Sequence, residues 1–155
     1  TKINKCYITN QSMQQNVIAR GLILDTSAEI KKILLFHRFK DGNEYYSLPG
    51  GHLEKGETPD EALIREIKEE TSLDSEVGKE LWCIKNSYDN SRQYIFMIDK
   101  YSGIVELGGE EKKKDSLENR YILEWHDIDE IKNLNLMPPP LKEKIVETFC
   151  EKDYL

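Results

Sequence analysis

Glu66, Glu69 and Glu70 stand close together, just after a glycine-rich stretch that runs Gly50-Gly51-His52-Leu53-Glu54-Lys55-Gly56-Glu57. On a helix of ~100° per residue the three glutamates share one arc about 100° wide. Glu66 then has like-charge neighbours at i,i+3 and i,i+4, and each such pair costs roughly 0.2–0.5 kcal/mol on an isolated helix. A hard divalent cation would convert that repulsion into coordination, because such ions take carboxylate oxygens. In a chain with 29 acids the competing reading is a solvated acidic face, with Arg65 satisfying Glu69 at i,i+4 and Glu61 pairing with Arg65. The glycines favour a site, since Gly50, Gly51 and Gly56 let backbone approach a ligand closely.

The acids need a helix to hold them, and its start is well marked. Thr58 fits the N-cap, Pro59 the first helical position, and Glu61 stands three after Thr58 as in a capping box. Good helix formers continue to Glu70 without Gly or Pro. Leu63, Ile64 and Ile67 form an adjoining apolar arc expected to pack inward. Leu48-Pro49 reads as the end of an extended segment.

Together, Gly51, Glu57, Arg65, Glu66, Glu69 and Glu70 stand at the spacing of the Nudix box, with Ile67 and Leu73 at its aliphatic positions. The chain therefore resembles the Nudix hydrolase family, and its MutT-like members in particular. One departure is Ser72, where the family usually has Gly to end the helix in a left-handed conformation. The resemblance implies an α/β/α sandwich with a mixed β-sheet, a central box helix and a C-terminal helix, in one domain over residues 1–155. It implies cleavage of the diphosphate linkage of a small nucleotide substrate with Mg²⁺, for which Mn²⁺ can substitute. Glu66, Glu69 and Glu70 carry over as metal ligands, with the Gly50 carbonyl as a further one. Arg65 orients the acids and pairs with Glu57, and Glu69 is the first choice of general base. A later-loop acid joins the site in MutT-like relatives; Glu110, Glu111 and Glu118 are the candidates here, and the sequence does not choose between them. A homodimer is a further expectation of the resemblance.

Gly51 is a candidate substrate contact, and Arg38, Tyr46, Tyr88 and Phe96 are candidate contacts to base or sugar. Arg38 lies at a strand end, and the aromatic residues can stack on a base or fill the core. His37, His52 and His126 lack triad or metal-cluster spacing. The expected reaction converts a nucleoside triphosphate to monophosphate and pyrophosphate. Dinucleoside polyphosphates stay open because Tyr88 lies near where their hydrolases carry a tyrosine. No proline stands where ADP-ribose hydrolases often carry one, though nucleotide sugars and ADP-ribose are alternatives. A nucleotide-binding regulator without turnover has no need of every box acid, and an acidic structural domain has no need of the glycines.

Composition sets the remaining bounds. A length of 155 residues and 38% hydrophobic content fit one soluble domain. A net charge of −7 argues against a nucleic-acid polymer as main partner. Cys6, Cys83 and Cys150 are scattered and suggest free thiols in a reducing, cytoplasmic setting rather than disulfides or zinc. No run approaches the ~18 apolar residues of a membrane span, and no signal-peptide core is read near Thr1.

Along the chain, strands are expected over Cys6–Ile8 at an edge, Asn16–Leu24, Lys32–Arg38 and Glu44–Leu48. After the helix, Glu76–Asn86 and Gln93–Tyr101 suit a hairpin and Tyr121–Trp125 a last strand. The stretch 108–116 reads as a charged loop. Asp127–Asn133 suits a helical turn, and Leu141, Ile145, Val146 and Phe149 mark an amphipathic C-terminal helix.

Overall fold

A computed structural model describes residues 16–87 and 89–150. The aliphatic run at its start forms β1 (Val17–Leu22), followed by β2 (Leu24–Asp25). The single strand expected here is split because Ile23 leaves one sheet for another: its carbonyl accepts from Leu34 N at 3.0 Å. β3 (Lys32–Lys40) then turns through Asp41 and Gly42, whose φ angles of 52° and 78° suit a tight two-residue hairpin, into β4 (Asn43–Ser47). The first glycines expected as loop form a short strand, β5 (Gly50–His52).

The helix α1 (Pro59–Thr71) begins as its residues dictate, with Thr58 Oγ1 accepting from Glu61 N at 3.3 Å. It ends at Ser72, which adopts the left-handed conformation with φ of 67°. A serine tolerates this strain because its Oγ donates to Glu106 O at 2.8 Å. β6 (Asp74–Lys85) and β7 (Arg92–Ser102) make the expected antiparallel hairpin. The charged stretch after it is helical rather than loop: α2 spans Gly109–Lys114. Its glutamates lie in the first turn and its lysines in the last, matching the helix dipole. Gly108 lets it dock, because a Cβ there would lie 2.6 Å from the Glu69 carbonyl. β8 (Asn119–Asp127), a 3-10 turn (Ile128–Asn133) and α3 (Pro139–Phe149) complete the chain.

One sheet is mixed, in the order β5-β1-β7-β6, with β1 parallel to β7 and antiparallel to β5. The other is antiparallel: β3 carries β2 and β4 along one edge and β8 along the other. Two hydrophobic cores flank this middle layer. Leu63 and Ile67 of α1 pack with Ala19, Leu34 and Phe96, while Leu141 and Ile145 of α3 pack with Ile33, Leu35 and Ile95. Alternate residues of β3 thus enter opposite cores, which is why its run is apolar throughout. The result is an α/β fold with a mixed sheet, a central helix and a C-terminal helix. Among the described residues no helix is long and apolar enough to cross a membrane.

The buried face of α1 is rotated from expectation. It is centred on Leu63, Ile67 and Glu70, so Ile64, about 100° from Leu63, is 43% exposed. Cys6–Ile8 and Tyr88 lie outside the described residues.

On the outer face of the antiparallel sheet a chain of hydrogen bonds joins three strands to the 3-10 turn. Glu44 meets His37 Nε2 at 2.7 Å, and Glu124 meets His37 Nδ1 at 3.1 Å. Glu124 also meets His126 Nε2 at 2.8 Å, and Glu130 meets His126 Nδ1 at 3.0 Å. Burial pulls the His126 imidazole down, but its bonds to Glu130 and Glu124 outweigh that and leave it above the usual histidine value. A raised histidine pKa stabilises the fold fully below the unfolded value of about 6.5 and loses that contribution as pH rises through the folded value. Urea unfolding at successive pH values should therefore show stability falling as pH climbs above about 6.5. His126→Gln should flatten that segment of the curve; an unchanged slope would remove His126 as its source.

Candidate active site

The two sheets and α1 enclose a cavity of about 530 Å³, lined on one wall by Glu66 and Glu70. Glu70 is 3% exposed and accepts from Gly50 N at 3.2 Å. Burial, then a hydrogen bond shared with Glu66, pushes its carboxyl well above the usual range. Two carboxyls this close repel when both are ionised, so the site calls for compensating positive charge. Glu66 lies over the β5 backbone, where a Cβ on Gly51 would come within 2.7 Å of its carboxylate. A larger residue there would force the Glu66 carboxylate to shift.

Arg20 reaches this wall from β1. Its Nη1 donates to the carbonyls of Leu48 and Gly50, each at 3.1 Å, and so pins β5 in place. Burial lowers the Arg20 pKa, while the charges of Glu70 and Glu66 oppose that fall. On the outer side of α1, Arg65 holds the loop to the helix. Its Nε and Nη2 each donate to Glu57 at 2.8 Å, and its Nη1 donates to Glu66 at 3.0 Å and Glu69 at 3.3 Å. The bonds from Arg65 draw the Glu57 carboxyl below its ordinary value, and those to Glu57 raise Arg65 in turn.

The box acids do not all converge. Glu69 is 51% exposed at its side chain and turned to Arg65, whereas Glu66 and Glu70 face the cavity. Among the later acids, Glu111 of α2 lines the cavity. Glu110 is exposed and pairs with Lys113 at 3.5 Å, and Glu118 is exposed before β8. Among the described residues no three acid, imidazole or thiol groups gather into a ready cation cage. The donor chemistry nevertheless fits a hard cation: Glu66 and Glu70 are oxygen donors whose mutual repulsion needs a positive charge, and Glu111 lies on the same cavity.

The opposite wall is formed by the antiparallel sheet. Arg38 is 7% exposed and lines the cavity, as do Gly50, Gly51 and His52 of β5. Tyr46 does not. It is buried on the other face of β4, stacked on His37 with ring centroids 4.3 Å apart. Its neighbour Tyr45 takes the cavity position, because successive strand residues point to opposite faces. Phe96 is also absent from the lining; it is packed in the core beneath α1.

Arg20, Tyr45, Tyr121 and Gln93 line the cavity and were not singled out by sequence reasoning. A signal existed for one of them. The Asp41-Gly42 turn pairs Lys40 with Asn43, and counting back from it places Tyr45 beside Arg38.

The NUDIX domain family matches residues 15–149. An ADP-ribose pyrophosphatase of Methanocaldococcus jannaschii is 38% identical over 90 residues, covering 53% of this chain and 52% of that protein. An 8-oxo-dGTP diphosphatase of Buchnera aphidicola is 25% identical over 123 residues, covering 79% of this chain and 81% of that protein. The chain spans 34%, 65% and 52% of the length of three curated relatives that it matches. The crystal structure of a MutT NUDIX hydrolase from Burkholderia pseudomallei has a TM-score of 0.62 at 19% identity, covering 86% of this chain and 97% of that one, a likeness of fold. A family match over nearly the whole chain, on a fold whose box helix carries Glu66 and Glu70 into a cavity, means that the chain belongs to the Nudix hydrolase family and has a MutT-like fold.

Proposed function

We propose that the protein is a Mg²⁺-dependent pyrophosphohydrolase that converts a nucleoside triphosphate to monophosphate and pyrophosphate. The observation that carries this reading is the carboxyl pair Glu66–Glu70, buried beside the β5 backbone and facing Glu111 within one cavity. Glu66, Glu70 and Glu111 would hold the cation, which when bound neutralises phosphate oxygens and makes water more acidic. Gly51 leaves the Glu66 carboxylate room to lie against β5. Arg65 orients Glu66 and fixes the loop through Glu57. Glu69 is the acid we assign to accept a proton from attacking water; it is half exposed and held by Arg65 at 3.3 Å outside the cavity lining, so it would have to turn from Arg65 to do so. The relatives named above support a nucleotide substrate, and their printed activities differ in what is joined to the diphosphate.

Glu69→Gln should lower turnover by roughly 10²–10⁴-fold, the usual worth of a general base, while the melting temperature stays near that of the parent. Steady-state assays on a panel of triphosphates with Mg²⁺, with products identified by mass, check this. Turnover close to the parent's would assign the base elsewhere.

Binding of the cation to the folded state alone must stabilise it. Millimolar Mg²⁺ or Mn²⁺ should raise the melting temperature, and Glu70→Gln should erase most of the rise. A Mg²⁺-insensitive melting curve for the unaltered protein would count against the metal site.

A further inference from the structure

Arg20 and Gly50 are cross-strand partners in the β1–β5 pair. Arg20 Nη1 is committed to backbone, donating to the carbonyls of Leu48 and Gly50 at 3.1 Å each. The Gly50 carbonyl has little freedom to turn elsewhere. Its residue is pressed so closely on β1 that a Cβ there would strike the Ala19 carbonyl, and its N–H donates to Glu70. Yet this carbonyl is the oxygen that the family resemblance offers as a ligand to a divalent ion. In this chain a guanidinium already holds it.

Arg20 also lines the cavity, alongside Glu66, Glu70 and Glu111. The charges of all three are felt at its guanidinium. Among the described residues none of them forms an ion pair with it, so its charge serves the group and not one partner. Arg65, the other guanidinium near Glu66, gives its Nε and Nη2 to Glu57. Once ionised, the three carboxylates bring three negative charges to the cavity. Arg20 answers one of them, and one divalent ion answers the other two. A second divalent ion would leave the cavity of the free protein with excess positive charge. At the Gly50 carbonyl it would face the guanidinium across a single oxygen atom, with no water between them to weaken the repulsion.

We propose that Arg20 is a built-in cation of this site, a positioning residue that stands in for a second divalent ion: it occupies the Gly50 carbonyl and leaves the free protein with one such ion, among Glu66, Glu70 and Glu111. Taking away the guanidinium charge while keeping the fold opens Gly50 O to another ion, because hard cations take carbonyl as well as carboxylate oxygens. The inference rests on the divalent-ion reading above and adds the number of ions that the free chain holds. It is read by counting bound metal and does not depend on turnover.

The experiment is a Mn²⁺ titration of the full chain without nucleotide, with free Mn²⁺ followed by electron paramagnetic resonance. Mn²⁺ takes the same carboxylate and carbonyl ligands as Mg²⁺. Arg20→Met should bind one more Mn²⁺ per chain than the parent in the submillimolar range. Arg20→Lys, which keeps the charge and loses the planar fork, should bind the parent's number. Ions held loosely on surface acids cancel in the comparison, since all forms share those acids. If Arg20→Met melts early, Arg20→Gln removes the charge, keeps an amide donor for the carbonyls and should show the same gain. A guanidinium that merely braces β5 predicts the reverse, because its loss would slacken the site and weaken metal binding. That result overturns the proposal, and so does a gain in Arg20→Lys equal to that in Arg20→Met. An equal count in the parent and the neutral variants sinks this inference alone, whereas Mn²⁺ bound by no form sinks the divalent-ion reading and this inference with it.

Discussion

Everything in the cavity depends on keeping Glu66 and Glu70 side by side out of water. Like charges repel, and burial disfavours the charged form of Glu70 further. The fold accepts this by surrounding the pair with compensation of several kinds. The Gly50 amide donates to Glu70, and Arg20 supplies a nearby positive charge. Arg65 supplies another from the solvent side through Glu66. Hydrophobic burial alone would not place carboxylates here; Leu63 and Ile67 anchor the helix, and Glu70 follows because it shares their face.

Holding that pair requires that β5 and α1 not move apart. Two arginines do this from opposite directions. Arg20 reaches from β1 to two carbonyls flanking the Pro49 turn, and Arg65 reaches from the helix to Glu57 and the His52 carbonyl. Both are polar clasps made largely to backbone or to a single carboxylate in a fixed fork, which is a task for guanidinium rather than ammonium. The left-handed Ser72 adds a third clasp at the far end of the helix. Its hydroxyl bond to Glu106 ties α1 to the segment that enters α2, and Gly108 N donates to Glu70 O nearby. Glu111 therefore reaches the cavity from a short helix fastened to the same helix that carries Glu66 and Glu70.

The local signals in the sequence were legible where they were strongest. The N-cap Thr58, the stop at Ser72, the clasp between Arg65 and Glu57 and most strands are where their residues place them. Four things were hidden. The rotation of α1 exposes Ile64 and buries Glu70, which shares a face with Leu63 and Ile67, so a count of apolar residues alone does not reveal it. The helix of 109–114 is docked on the end of α1, where Gly108 N donates to the Glu70 carbonyl, a tertiary contact that composition does not encode. Tyr45 and Tyr46 are both aromatic, and only strand parity separates the cavity residue from the buried one. Of the later acids, Glu111 was distinguished by the helix phase of α2, which cannot be read from a stretch taken to be a loop.

That parity has a wider consequence, because the antiparallel sheet has a different polar task on each face. Its inner face presents Phe36, Arg38, Tyr45 and Tyr121 to the cavity, and its outer face carries His37, Glu124 and His126 in one hydrogen-bonded chain. A slip of one residue in any of the three strands would exchange the two sets. Arg38 would then leave the cavity, and His37 would enter it without its carboxylate partners. Two features oppose the slip. The Asp41-Gly42 turn, with both φ angles positive, fixes β3 against β4, and the alternation of Ile33, Leu34 and Leu35 between opposite cores fixes β3 in depth. The outer ion chain and the inner cavity wall are thus locked by one register, and the identity of the residue after Gly42 matters less than the length of the turn that contains it.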